Sequence, residues 1–339
     1  LHRKRMLEHR IYKLMVISEF ERVVQQHGPW TAMAIRLPDG SYTREPSPDH
    51  RLRRIVQTAA DVVGKPLSQC RVLDLACLEG HYAIEFALHG AQVVGIEGRE
   101  ASVAKCDFVK NALGLDRASF VQDDVRNLTH EKYGVFDIVI CSGLFYHLPT
   151  EDAYRLLEAM HETCSDVVIL DTFIALSSQR SVDVRGVTRH GHVYGEHDPS
   201  ETEEDRRKKL WASLDNESSF WFTEPSLMNM LSSAGFSTLT EVLLPSMPGG
   251  MGDRKTYLAV KGKKVDIFSS ETTQRADQAQ VPEGPNRNID PSQTPQGPLF
   301  HIAKRVLPQP IKDVIKPVLR AVRLLPPDTT PSFQVKSRR

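Results

Sequence analysis

Short apolar runs alternate with amphipathic stretches through much of the chain, and that spacing predicts an α/β domain built from strand–helix repeats. Val72 to Leu75 reads as a strand buried on both faces, and Ala76 to Gly80 turns the chain into an amphipathic helix. Gln92 to Ile96 restarts the strand pattern and ends at Glu97. Asp137 to Ile140 and Val167 to Leu170 are predicted strands, the second ending at Asp171, with a helix from Glu151 to Cys164 between them. Pro225 to Ala234 is predicted helical with Gly235 as its stop. Ser237 to Leu244 and Lys255 to Val260 would form a closing strand pair.

The flanks carry weaker patterns. Leu7, Ile11, Leu14 and Met15 fall on one helical face within residues 5–25, and the stripe weakens at Ser18. GPWTAMAIRLPDGSYT, residues 28–43, predicts two extended pieces around a turn at Pro38, Asp39 and Gly40. A helix from about Asp49 to Val63 leads into the first strand. Residues 1–48 therefore read as an N-terminal extension that either covers the ligand site or serves as a structural flap. Residues 49–265 form the main domain. Within it, the pattern breaks at about 172–220, where charge, glycine and histidine mix; loops after strand ends build the crevice in such folds, so this insertion reads as a substrate cap.

Residues 266–299, rich in Ser, Thr, Gln, Asn and Pro, read as a flexible linker. Residues 300–339 read as a basic amphipathic tail. Ile311, Val314, Ile315, Val318, Leu319 and Val322 share one helical face, Lys312, Lys316, Arg320 and Arg323 occupy another, and Pro317 interrupts the helix. Three roles stand open for it: contact with an anionic membrane surface, contact with a partner protein, or packing on its own domain.

Composition narrows the classes. The 339 residues are 40% hydrophobic, enough for a large core, and 43 basic residues balance 43 acidic ones. Zero net charge removes any global electrostatic case for nucleic-acid binding and leaves only a local basic patch. Cys70, Cys77, Cys106, Cys141 and Cys164 are odd in number and lack a CxxC pair, which argues against a disulfide framework or structural zinc and suits a reducing, cytoplasmic setting. No apolar run approaches the roughly 20 residues of a membrane span, and LHRKRMLEHR lacks the apolar centre of a signal peptide. The chain starts with Leu, as a fragment or a chain with a non-standard start codon would.

The loop after the first strand carries the chemistry. A dinucleotide site needs G-x-G-x-x-G so that backbone can approach a pyrophosphate, but here the first two glycine positions are Ala76 and Leu78, and Asp74 precedes them. A carboxylate at that point repels a pyrophosphate and attracts a cation. Glu97 stands at the separation expected of a carboxylate gripping a ribose diol. A ligand that joins ribose to an amine and a sulfonium is S-adenosylmethionine.

VLDLACLEG resembles the V-L-D-x-G-x-G-x-G first motif of class I S-adenosylmethionine-dependent methyltransferases, with Asp74 and Gly80 kept. FVQDDVRNL, residues 120–128, resembles the family segment whose carboxylate holds the adenine amino group; Asp124 is the better match, Asp123 the alternate, and Val125 would offer its N–H to the ring. FDIVICSGLFYHL, residues 136–148, resembles the fourth motif, a strand emptying into Cys141, Ser142 and Gly143 beneath the methyl donor. The resemblance implies a Rossmann-like, mostly parallel sheet with helices on both faces and an antiparallel final strand. It also implies a cofactor site formed by Asp74, Ala76, Cys77, Glu79, Gly80, Glu97, Gly98, Asp124, Val125, Cys141 and Ser142.

Methyl transfer from a sulfonium needs mainly positioning, with a base where the acceptor must lose a proton. His147 is the first candidate base, with helix capping or packing as its alternative role; Tyr146 would orient an acceptor or pack. RHGHVYGEH holds His190, His192, Glu196 and His197, but a His-x-His pair without a further ligand set predicts no metal; a solvated loop or substrate contact fits better. DNESSFWFT, residues 215–223, reads as pocket lining, or as anchoring of the cap through Phe220, Trp221 and Phe222. The leading expectation is methyl transfer to an O, N or C atom of a small molecule. GLFYHL and the strand-like preamble also resemble the family that alkylates the tRNA wobble uridine with a carboxylated S-adenosylmethionine derivative. A non-catalytic nucleoside-binding module is the third class.

Overall fold

The computed structural model describes residues 16–243 and 252–262, so the proposed linker, the basic tail and the stripe from Leu7 to Met15 lie outside the described residues. Five strands, β1 (Arg71–Leu75), β2 (Gln92–Glu97), β3 (Ala118–Gln122), β4 (Phe136–Ser142) and β5 (Cys164–Phe173), pair in parallel in the order β3-β2-β1-β4-β5. A second sheet of β6 (Arg180–Val184), β7 (Val187–Gly195) and β8 (Ser218–Phe222) is antiparallel throughout. The main sheet closes with β9 (Thr238–Glu241) and β10 (Arg254–Val260), where β10 is antiparallel to both β5 and β9. This is the expected Rossmann-like architecture.

Strand alternation builds the two core layers. Val72, Ile138, Ile140, Val167 and Ile169 meet Leu52, Ile55 and Ala59 of α2 (His50–Val63) and Ala83 and Phe86 of α3 (His81–Leu88). Leu73, Leu75, Val139, Cys141, Val168 and Leu170 face the other way, against Leu156, Leu157 and Met160 of α5 (Thr150–Thr163) and Met230 of α6 (Glu224–Ser233). Burial on both faces explains why these strands read as continuous apolar runs. α2 starts where Asp49 Oδ1 accepts the Leu52 N–H at 2.8 Å and stops at Gly64, whose φ is 69°.

The insertion holds more order than its sequence pattern suggests. RHGHVYG lies in β7 rather than in a solvated loop, because its buried positions alternate singly with half-exposed ones and so carry no long apolar run. Phe220 and Phe222 of β8 join the main core and anchor the cap. No helix among the described residues is long and apolar enough to cross a membrane.

The N-terminal extension is a packed flap. A helix over residues 16–27 (α1) contributes Val16 and Val23 to a cluster with Trp30, Ile35, Leu37, and Phe108 and Val109 of α4 (Glu100–Leu113). The turn at Pro38–Gly40 forms as expected, closed by the Leu37 N–H to Ser41 O bond at 2.8 Å, with a single bridge between Arg36 and Tyr42 on its arms. Lys105 of α4 locks the flap to the loop after β1. Its ammonium, almost sealed from solvent, donates to Glu79 Oε1 at 2.9 Å and to Pro29 O at 2.7 Å and stands over the Trp30 ring. Glu79 also accepts from the backbone N–H groups of Thr31 and Ala32.

Ala76 and Leu78, which stand in place of two family glycines, keep a left-handed backbone at φ 51° and 52°. The loop geometry is thus retained without the residue that adopts it freely, at a cost of about 1–2 kcal/mol per residue. Gly80 is retained where a Cβ would meet Cys106 Sγ at 2.9 Å. Two stability outcomes follow. Lys105→Met, by leaving Glu79 buried without its cation, should lower the urea unfolding free energy by about 3 kcal/mol. Ala76→Gly should raise it by about 0.5–1 kcal/mol, since relief of the positive φ outweighs the added unfolded-chain entropy.

Candidate active site

Strand order reverses direction between β1 and β4, and the crevice outside their carboxyl ends holds a cavity of about 430 Å³. Four chain segments after β1, β2, β3 and β4 line it, together with the flap at Ala32 and Met33, the start of α2, the cap loop from Leu210 to Asn216, and Arg254 of β10.

At the end of β1, Asp74 is buried and accepts the Ala83 N–H at 3.0 Å; it has no cationic partner among the described residues. Burial pushes its carboxyl up to about 7, with the nearby Glu97 adding a smaller push in the same direction. Glu97, at the end of β2, is also buried and raised by desolvation, while the N–H groups of Arg99 and Leu78, each at 2.9 Å, oppose that shift. A buried acidic pair with one uncompensated member suits a cation. Such a site would be costly for a pyrophosphate.

Of the remaining loop positions, Ala76 and Cys77 line the cavity, whereas Gly80 does not and serves the turn. Glu79 borders the cavity, but its oxygens are committed to Thr31, Ala32 and Lys105, so its role is that of a strut. Cys141 also needs correcting as a cofactor contact. Its thiol is fully buried among Leu75, Val139 and Leu170, because position 141 falls on the core-facing side of β4; the next residue, Ser142, is the one that reaches the cavity. Gly98 lines the cavity where the cap closes, and a Cβ there would meet Leu214 at 2.4 Å.

At the far end of the cleft, Asp124 and Val125 line the cavity beside Asp123. Asp123 is half-buried but held well below the usual carboxylate range by Lys132, Tyr133 and Asn127, which occupy both its oxygens. Asp124 is also lowered, since bonds from Arg126 outweigh partial burial, and the same guanidinium reaches Asp215 of the cap loop at 2.6 Å. Arg126 therefore ties the third loop to the cap.

After β4, His147 Nδ1 lies 2.9 Å from Glu196 Oε2. Glu196 follows β7 and is itself held by the Ser219 hydroxyl at 2.7 Å and the Ser213 N–H at 3.1 Å. A carboxylate at Nδ1 holds the proton there and leaves Nε2 as the acceptor nitrogen. The Asn216 amide donates to the His147 carbonyl at 3.0 Å, so the cap grips this residue twice. Tyr146 packs against His147 with ring centroids 4.2 Å apart and edge-on to Phe173 at 4.7 Å, and burial pushes its phenol up to about 12. Both predicted catalytic residues line the cavity.

The sequence weighed Glu196, with the histidines around it, as a metal ligand, a substrate contact or part of a solvated loop, and no motif pointed to Arg51, Tyr82 or Arg254. Their separation in the chain hides them. His190 Nδ1 lies near the Ser178 hydroxyl and His192 packs on Trp221, and no group of three potential metal ligands converges among the described residues.

Comparison with known proteins agrees with this geometry. A family described as a methyltransferase domain matches residues 72–166. A ubiquinone biosynthesis O-methyltransferase from Acinetobacter baumannii is 31% identical over 99 residues, 29% of this chain and 40% of that protein. A 23S rRNA uracil-C5 methyltransferase from Shewanella halifaxensis is 38% identical over 60 residues, 18% of this chain and 14% of that one. The chain thus spans about 40% of the length of the first of these relatives and less of the second. The N-terminal domain of EvdMO1, crystallised in the presence of S-adenosylhomocysteine and D-fucose, shares the fold at TM-score 0.57 and 21% identity, covering 72% of this chain and 97% of that one. Residues 72–166 thus match a methyltransferase domain, and the sheet order and the likeness to the EvdMO1 domain show that this segment is set in a Rossmann-like fold.

Proposed function

We propose that this protein transfers the methyl group of S-adenosylmethionine to a hydroxyl of a small molecule, with His147 as general base. The observation that carries this reading is the buried Glu196 behind His147 Nδ1, which leaves Nε2 at the cavity wall free to take a proton. Proton removal matters most for a hydroxyl, whose neutral oxygen is a poor nucleophile. The similarity to O-methyltransferases supports the same choice. Acidic side chains outnumber basic ones in the cavity lining, which suits a compact acceptor better than a polyphosphate chain.

Bound S-adenosylmethionine supplies an already activated methyl group. Asp74 would supply the negative charge for its cationic end, Glu97 would hold its ribose hydroxyls, and Asp124 with Val125 would border its adenine. The flap and the cap loop exclude water from the cleft. His147 accepts the acceptor's proton as the oxygen gains the methyl group, and Glu196 steadies the imidazole.

Incubation with radiolabelled S-adenosylmethionine and a fractionated cell extract should place label in the small-molecule fraction; label confined to RNA or protein would reject the proposal. His147→Ala should then lower turnover by about 10²–10⁴-fold while S-adenosylhomocysteine still raises the melting temperature. A second outcome concerns pH. Asp74 is neutral below about 7, so the attraction for a cation is lost as pH falls through that value. Affinity for S-adenosylmethionine should therefore drop by up to about tenfold per pH unit on the acid side, and calorimetric titration of Asp74→Asn should show that dependence gone.

A further inference from the structure

Beyond His147, the acceptor end of the cavity contains an unequal group of charges. Asp171, at the carboxyl end of β5, is fully buried. It accepts from Arg254 Nε at 2.7 Å, Arg254 Nη2 at 2.6 Å and Thr256 Oγ1 at 2.6 Å, and Arg51 Nε lies 3.1 Å from it. Two guanidinium groups share one carboxylate. Among the described residues, no second acid pairs with either arginine, so one unit of positive charge is left over.

That charge sits inside the cleft. The side chains of Arg254 and Arg51 are 22% and 32% exposed, and both line the cavity with Tyr146 and His147. Arg254 Nη2 and the Tyr146 hydroxyl lie 3.5 and 3.9 Å from the position a Cβ would take on Gly143, so the two polar groups converge over that glycine. Asp49 lines the same end, but its Oδ1 caps α2, where the helix N-terminus offsets its charge. An unmatched cation in a partly dry cleft is costly, and an anionic ligand removes that cost.

We propose that Arg254 and Arg51 form a carboxylate-binding subsite, so that the acceptor carries a carboxylate beside the hydroxyl that receives the methyl group. This deepens the reading of a hydroxyl-directed small-molecule transferase and rests on it. A carboxylate fits better than a phosphate, because the site offers a single surplus charge while a phosphate monoester brings about −1.5 to −2. The planar guanidinium also matches a carboxylate edge with paired N–H groups. The methionyl carboxylate of the cofactor has the same chemistry, and the experiment separates the two sources.

The protein loaded with S-adenosylhomocysteine is titrated with matched acids and methyl esters: 3,4-dihydroxybenzoate, 4-hydroxyphenylacetate and galacturonate, each against its ester. At least one acid should bind ten times more tightly than its ester. In Arg51→Gln and Arg254→Gln that preference should fall below threefold, with S-adenosylhomocysteine affinity unchanged. If Arg254→Gln fails to fold, the more exposed Arg51→Gln decides, with partial rescue expected in Arg51→Lys. Three results would overturn the subsite. One is equal binding of acid and ester in every pair, and another is binding of neither. The third is a loss of S-adenosylhomocysteine affinity with unchanged affinity for 5′-methylthioadenosine, which would give the arginines to the cofactor. Failure of the transferase reading shows separately, as no label leaving S-adenosylmethionine in the extract assay.

Discussion

The buried ion pair between Lys105 and Glu79 is the constraint on which the cleft depends. It joins α4, the loop after β1 and the N-terminal flap at one point, and the Thr31 and Ala32 amides complete the shell around the carboxylate. Neither charge tolerates loss of the other inside the fold. With this pair in place, the loop keeps two left-handed residues that carry side chains, and the flap reaches over the cavity at Ala32 and Met33. Strain in the loop and the clamp on it belong together. Packing and hydrogen bonds elsewhere hold a backbone that glycine would adopt without cost.

Charge divides the cleft into two halves. Carboxylates dominate the β1–β2 side, where Asp74 has no cationic partner among the described residues, while the β5–β10 side holds two arginines around one aspartate. A cationic cofactor and an anionic acceptor would each find an opposite field and be kept apart from the wrong half. The cap links the halves. It supplies Glu196 to His147, Asp215 to Arg126 and Leu214 to the Gly98 edge, so one insertion both covers the cleft and orients His147.

The main sheet was legible because strands buried on both faces must be apolar throughout, and Val72–Leu75, Gln92–Ile96 and Val167–Leu170 all sit where the pattern put them. The cap sheet was not. β6 and β7 bury only scattered positions, and although β8 buries Ser219 to Phe222 in a row, its Phe222 packs on Phe145, which lies far earlier in the chain. Within the site, Asp74, Glu97 and the Asp124 segment follow strand ends and carry local signatures. Cys141 shows the limit of that reasoning. A motif indicates which turn faces a ligand, while the strand's two-residue period decides which of two neighbours does so.

By itself the sequence determined the succession of strands in the main sheet, the sign of charge beside the first loop and the class of ligand that charge admits, since each follows from residues close together in the chain. Only the tertiary structure decided that Glu79 is a strut, that Glu196 stands behind His147, and that Arg51 and Arg254 share Asp171. Those partners lie between 26 and 120 residues apart. No local pattern encodes such meetings, because the sheet order and the fold of the cap bring them together.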